Sequence, residues 1–203
     1  MIRILNYGVG NLASVQNMLK KAGFESALTT NPDDILNSDK IILPGIGAFD
    51  HCMNQFNASG LRPLVTKRVT EDKTPLLGIC VGLQMLMESS EEGVEEGLGW
   101  IKGKTVKFQK ERMGNLKIPH MGWTDVDQAK SSPLTSDLND GPRFYFVHSY
   151  HVKPDSPEDN LLTAEYGYRF TAAVQRDNIY GVQFHPEKSH KYGMKILGNF
   201  GRI

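Results

Sequence analysis

No stretch of this 203-residue chain approaches the roughly 20 consecutive apolar residues that a membrane-spanning helix needs. Its opening, MIRILNYGVG, lacks the long apolar run of a secretory signal. Charge of one sign is also missing: 23 basic residues balance 23 acidic ones, and neither half carries a basic block, so there is no electrostatic case for nucleic acid or an anionic membrane as a partner. Two cysteines, Cys52 and Cys80, are too few for a disulfide framework; the chain reads as cytosolic and its cysteines as thiols. Internal repeats and linker-like boundaries are absent too. With this length, that implies a single domain over residues 1–203, large enough to bury a proper core.

What is there centres on residues 75–90, PLLGICVGLQMLMESS. A short apolar run meets Gly-Ile-Cys-Val-Gly and passes at once into a helical pattern with Leu83, Leu86 and Met87 on one face. This is the layout of a nucleophile elbow with cysteine in place of serine. Such a turn holds the nucleophile at a strained strand-to-helix corner that only small neighbours tolerate, hence Gly78 and Gly82. The helix N-terminus favours the thiolate of Cys80, and the backbone N–H of Val81 is placed to meet an oxyanion. A cysteine closing a buried strand also suits an inert packing role, so the elbow alone does not decide the matter.

The chain reaches this stretch through strand and helix in alternation. Residues 2–6 read as a strand, and Leu12, Val15, Leu19 and Ala22 recur at helical spacing up to Gly23. The loop between them, GVGNLA, matches the GxGxxA form of a dinucleotide fingerprint. That fingerprint needs an acid at the end of the second strand, whereas residues 26–30 end in Thr-Thr; Asp33 and Asp34, after Pro32, read as the cap and first turn of a short helix. Residues 39–44 form a very apolar third strand running into PGIGAF, whose Gly45 and Gly47 suit either a plain turn or a loop that aims N–H groups at an anion. Cys52 has no His or acid spaced as a partner and reads as structural. Three strand-helix units predict a parallel, doubly wound α/β sheet with its site at the carboxyl ends of the strands. Beyond Ile101 the pattern changes to short strands at 105–108, 123–126, 144–147, 161–165, 171–175 and 179–184, with little helix and antiparallel pairing expected. Residues 91–96 read as a solvated acidic segment and 131–142 as a polar loop.

A second chemical motif lies far downstream, in YGVQFHPE at 180–187. Residues two apart on an extended segment point the same way, and Pro186 keeps His185 extended, so His185 and Glu187 project together. An acid beside an imidazole orients it as the base of a thiolate nucleophile; the same pair also suits a surface salt bridge or metal ligation. His120 and His151 lack the carboxylate or cysteine spacing of a metal site, and no metal or cofactor is expected.

GICVGLQ with FHPE downstream resembles the class I, triad-type glutamine amidotransferases over nearly the whole chain. NYGVGNLASV, LPGIGAF, LKIPHMGW, YFVHSYHV and FHPEKSHKYGMKILGNF look like the glutaminase branch that serves imidazole glycerol phosphate synthases. The resemblance implies a flavodoxin-like fold with an antiparallel C-terminal portion. It also implies release of ammonia from L-glutamine by a thioester route, and passage of that ammonia to a (β/α)8 barrel cyclase in a heterodimer of the histidine pathway. Carried over by position, Cys80 is the nucleophile, His185 the base and Glu187 the orienting acid, with Val81 and the loop Gly45, Ile46, Gly47 as the oxyanion hole. Gln84, Glu92, His148, Ser149 and Tyr150 would hold glutamine, and Lys117, Pro119, His120 and Trp123 would face the cyclase, although Trp123 beside Pro119 and Met121 equally suits a core. Asn6 stands where many members of the family place Asp. HPEKSH and YFVHSYHV also match a paralogous branch that amidates sugars of bacterial surface polysaccharides, which leaves the ammonia acceptor open.

Overall fold

A computed structural model of the chain describes residues 1–139 and 141–203. In the first half, strand and helix alternate: β1 (Ile2–Leu5), α1 (Leu12–Lys21), β2 (Ser26–Thr29), α2 (Pro32–Leu36), β3 (Lys40–Gly45), α3 (Phe49–Ala58), α4 (Arg62–Thr70), β4 (Leu76–Cys80) and α5 (Val81–Met85). The second half is mostly strand: β5 (Ser89–Ser90), β6 (Gly103–Lys107), β7 (His120–Gln128), β8 (Arg143–His148), β9 (Tyr150–Pro154), β10 (Asn160–Tyr166), β11 (Tyr168–Arg176) and β12 (Ile179–Val182), closed by α6 (His190–Arg202).

The strands share one sheet in the order β2-β1-β3-β4-β12-β11-β10-β7-β8, with β5, β6 and β9 attached beside this path. From β2 to β12 the pairing is parallel; from β12 to β8 it is antiparallel. Every residue of β4 and β12 is buried, as expected of parallel strands covered on both faces. The last strand in sequence, β12, is inserted next to β4 with Ile179 opposite Leu76 and Val182 opposite Ile79. That placement brings the FHPE segment to the carboxyl end of β4.

The expected strands all appear, with differences in extent. Residues 179–184 stay in the sheet only to Val182, after which Gln183 and Phe184 bend away: the Gln183 N–H still bonds Ala172 O, and the Phe184 ring stacks on Phe144 at 3.8 Å between centroids. β9 is an addition to the expected strands: YHVKP alternates Tyr, Val and Pro with His and Lys but is short and ends in proline, and its pairing with β6 supplies its order. Nor was α6 foreseen. Its apolar stripe of Ile196, Leu197 and Phe200 is broken by three glycines, which lower helix propensity, yet all three apolar side chains are buried and the helix packs on α1. The cap of α2 is Asn31, whose Oδ1 accepts from Asp33 N–H at 3.0 Å; Asp33 and Asp34 form the first turn, so neither is the cap. The loop at 131–142 is polar by composition only: Leu134 and Leu138 are fully or nearly buried, and Asn199 on α6 donates to Leu134 O at 3.0 Å. Position 140 in that loop lies outside the described residues.

The elbow depends on close approach at Gly82. A Cβ there would overlap the carbonyl oxygen of Leu43 on β3. Gly82→Ala should therefore lower stability by about 2 to 3 kcal/mol, the usual cost of forcing atoms into a packed interior; a urea melt within about 0.5 kcal/mol of the parent would show that β3 and α5 have room to part.

Candidate active site

Cys80 ends β4 and caps α5 with φ 56° and ψ −111°, a conformation that L-residues with side chains rarely adopt. Strain of this kind costs about 1 to 3 kcal/mol and persists only where surrounding structure imposes it. Here the constraint is the parallel register Gly45 opposite Cys80 together with the backbone of α5 lying directly on β3. Gly78 and Gly82 serve this approach by leaving space; the unusual torsions belong to Cys80 itself.

His185 reaches Cys80 because β12 runs parallel beside β4. Its own segment is pinned to β8: His185 N–H donates to Tyr145 O at 3.0 Å, Tyr145 N–H donates to Ser189 Oγ at 3.0 Å, and the Ser189 hydroxyl returns to His185 O at 2.6 Å. His185 Nδ1 lies 2.9 Å from Glu187 Oε1, with both side chains almost fully buried. Since the carboxylate accepts, Nδ1 carries the hydrogen and Nε2 is the nitrogen left for the sulfur. Burial pulls the imidazole pKa down, but its hydrogen bonds to Cys80 and Glu187 outweigh burial and push it up to about 10. At neutral pH the ring is therefore a buried cation between two acidic partners.

These groups open into a cavity of about 420 Å³, a size suited to a small ligand. Cys80, Val81 and the exposed Ile46 and Gly47 form one side; Gly45 is buried behind them, with no room for a Cβ against Gly82. Gln84 and Glu92 form another, and His148, Ser149 and Tyr150, between β8 and β9, form a third. Glu92 departs from the solvated acidic run around it: its Oε2 accepts the Phe49 N–H at the start of α3 at 2.9 Å. The thiol of Cys52 donates to the Ile46 carbonyl at 3.2 Å beneath the same loop, and burial pushes its pKa up to about 11, which leaves it a neutral packing group.

Lys188 and Gln183 stand in or against this site and were not singled out from the sequence. For Gln183 the signal was present: the two-residue periodicity that joins His185 to Glu187 extends back to Gln183. Lys188 offers no such signal.

Of the residues expected at a partner surface, Pro119 lines the cavity mouth, and Lys117 is exposed along a separate groove. Trp123 is 38% exposed, with its ring stacked on His190 at 5.4 Å, and the neighbouring Met121 is 61% exposed. His120 corrects the expectation: it is 1% exposed and turned inward, stacked on Tyr166 and Phe146. Alternation along β7 explains this, since His120 and its hydrogen-bond partner Thr124 share one face of the strand while Met121 and Trp123 share the other.

The GVGNLA loop has a structural use. A Cβ on Gly10 would press on the ring of Pro44 at 2.9 Å, so the loop needs glycine to approach β3. The end of β2 presents Thr29, not an acid, and Asp34 is engaged by Thr29 Oγ1 and Arg3 at 2.8 Å each.

The family model described as glutamine amidotransferase class-I matches residues 3–202. The chain belongs to that family. The architecture recurs in solved structures: PurLQS from Thermotoga maritima superposes with a TM-score of 0.73 at 20% identity, covering 98% of this chain and 96% of that one. The glutaminase domain of Trypanosoma brucei CTPS gives 0.67 at 14% identity, covering 99% and 93%. At such identity the likeness speaks for the fold. Nearer relatives are the protein named imidazole glycerol phosphate synthase subunit HisH 2 of Pseudomonas aeruginosa, 50% identical over 98% of both chains, and subunit HisH of Bdellovibrio bacteriovorus, 46% identical over the full length of both.

The amidotransferase fold also carries a pH-sensitive element beside the cavity. Burial, opposed for His151 by its bond to Val152 O, pulls His120 and His151 from 6.5 to about 4, and burial holds His148 well below 6.5. The native state keeps these rings neutral while the unfolded chain protonates them near 6.5, so between about 4 and 6.5 the unfolded state binds more protons and stability rises with pH. Urea midpoints should fall as pH drops through that window. His120→Phe should flatten the slope while costing about 1 to 3 kcal/mol at neutral pH, because His148 Nε2 loses its donor; an unchanged slope would show that His120 titrates normally.

Proposed function

We propose that the chain is the glutaminase subunit of an imidazole glycerol phosphate synthase, hydrolysing L-glutamine and handing ammonia to a (β/α)8 barrel cyclase. The observation that carries the reading is the strained Cys80 meeting a buried His185–Glu187 pair at the wall of a cavity that also holds Gln84. Family membership and the shared name of full-length relatives near half identity support the same conclusion.

In this reading Cys80 Sγ, as thiolate, adds to the side-chain carbonyl carbon of glutamine, and negative charge gathers on the carbonyl oxygen. Val81 N–H and the Gly45, Ile46, Gly47 loop are the donors offered to that oxygen, where one donor is worth about 3 kcal/mol. The His185 cation gives its Nε2 proton to the departing nitrogen, ammonia leaves, and a thioester remains. Neutral at Nε2, His185 then takes a proton from water as the water oxygen attacks the thioester, and the sulfur departs as thiolate with release of glutamate. Glu187 stays ionised and fixes the ring. Gln84 Oε1, buried without a partner among the described residues, is an acceptor available to the substrate, and Glu92 with the backbone of His148, Ser149 and Tyr150 completes its seat.

The exposed strip of Met121 and Trp123, continuous with Pro119 at the cavity mouth, is the surface proposed to meet the cyclase, with ammonia leaving through that mouth into the partner. Exposed aromatic and thioether side chains are the anchors such contacts favour.

Glutamate release from L-glutamine tests the reading directly. It should be slow for the chain alone and rise steeply with the histidine-pathway barrel and its ribotide substrate; a rise only with a surface-sugar amidating partner would transfer the chemistry to another acceptor. Cys80→Ala should abolish release and leave the melting curve close to that of the parent, so residual turnover in a clean preparation would remove Cys80 from the nucleophile's role. Trp123→Ala should weaken the complex by about 1 to 2 kcal/mol in a binding titration; unchanged affinity with a lowered melting point would leave Trp123 only its stacking on His190 and remove it from the partner surface.

A further inference from the structure

A line of hydrogen bonds ends on the nucleophile, and its direction is set by a single backbone group. The carbonyl of Tyr150 can only accept. It receives His148 Nδ1–H at 2.7 Å and Gln84 Nε2–H at 3.2 Å. With the Gln84 nitrogen committed to this side, its second hydrogen goes to Gln183 Oε1 at 3.2 Å. The oxygen end of Gln183 is thereby occupied, and its Nε2 is left facing Cys80 Sγ at 3.8 Å. Turning either amide over would set oxygen against oxygen or N–H against N–H inside a buried cluster, since Gln84 is 3% and Gln183 0% exposed.

The carbonyl that starts this line is itself held from its far side. His148 gives its only ring hydrogen to Tyr150, so its Nε2 must accept, and it does so from His120 Nδ1 at 3.0 Å; His120 Nε2 in turn accepts the Thr124 hydroxyl at 2.7 Å. Gln183 is fixed at the other end by its own backbone, bonded to Ala172 on β11.

We propose that Gln183 is a further catalytic residue, whose amide N–H donates to the Cys80 sulfur and holds it as the anion that attacks glutamine. This rests on the glutaminase reading of the site. A neutral donor stabilises the thiolate without introducing a second cation that would compete with His185 for its place or its proton. The bond is strongest when the sulfur is anionic, weakens while the sulfur is esterified, and returns as the thioester breaks and the sulfur leaves with the electron pair. It therefore raises the share of the sulfur present as the attacking anion, and it stabilises the sulfur as the leaving group when the thioester breaks. Its aim cannot drift, because the Tyr150 carbonyl dictates the orientation of Gln84, and Gln84 that of Gln183.

Two near-isosteric changes separate the donor from mere packing. Gln183→Met keeps an unbranched side chain and removes the N–H; Gln183→Glu keeps the shape and puts an acceptor where the donor was. Glutamate release with the barrel partner present is measured for each, together with the rate of Cys80 alkylation by iodoacetamide as a function of pH, mapped by mass spectrometry so that Cys52 is counted apart. Loss of a hydrogen bond to a charged group should lower kcat/KM about 10- to 100-fold in Gln183→Met, with alkylation slowed and its midpoint raised by about one pH unit; Gln183→Glu should be worse in both. A parental pH profile for alkylation in Gln183→Met, or parental turnover in Gln183→Glu, overturns the assignment. Failure of both variants to fold would overturn it too, by making Gln183 a strut of the core. If the parent chain releases no glutamate with any partner, the glutaminase reading falls, while the alkylation profiles still decide whether Gln183 holds the sulfur.

Discussion

The parallel pairing of β4 with β12 is the contact on which the site depends. Cys80 can be strained into its corner by β3 and α5 alone, but its chemistry needs an imidazole, and the only route by which His185 arrives is the register that sets Val182 opposite Ile79. The buried apolar faces of the two strands supply the energy for that register. A slip of one residue would turn every side chain of β12 to the wrong face and carry His185 away from the sulfur. Strain at one residue and position of another are thus both held by the same hydrophobic sheet.

Around this contact the polar groups are arranged so that each has a single direction. Glu187 holds Nδ1 of His185 and leaves Nε2 as the nitrogen that gives and takes a proton, and the Tyr150 carbonyl fixes the amides of Gln84 and Gln183 and the ring of His148. Low dielectric makes a mismatched pair here expensive and a matched one strong. The histidines accordingly separate into two kinds by surroundings alone. His185, between a thiol and a carboxylate, is held as a cation; His120, His148 and His151, among Phe108, Phe146, Tyr166, Tyr168 and Phe170, are held neutral.

Much of this was legible beforehand where chemistry is written in short runs. GICVGLQ announces its strand, its corner and its helix within a few residues, and HPE keeps acid and imidazole on one side by the geometry of an extended chain. Legibility ended where a residue takes its place from a distant partner. The inward turn of His120, next to the exposed Met121, follows from the aromatic cluster it fills and not from LKIPHMGW. The strand Tyr150–Pro154 exists because β6 lies beside it, and the glycine-broken stripe of α6 is a helix because α1 covers it. Gln183 is the instructive case: the periodicity that placed His185 and Glu187 reached it, but nothing local says that a buried amide will find sulfur.

The sequence by itself determined the alternating first half, the cysteine elbow and the acid-oriented histidine, because each is set by interactions within a few residues: apolar periodicity, small neighbours around a tight corner, and proline beside an extended imidazole. Only the tertiary structure decided that the elbow and the histidine are one site, that the Tyr150 carbonyl orders the amides between them, and which histidines carry charge. Those outcomes turn on strand insertion and burial, and both are properties of segments brought together from distant parts of the chain.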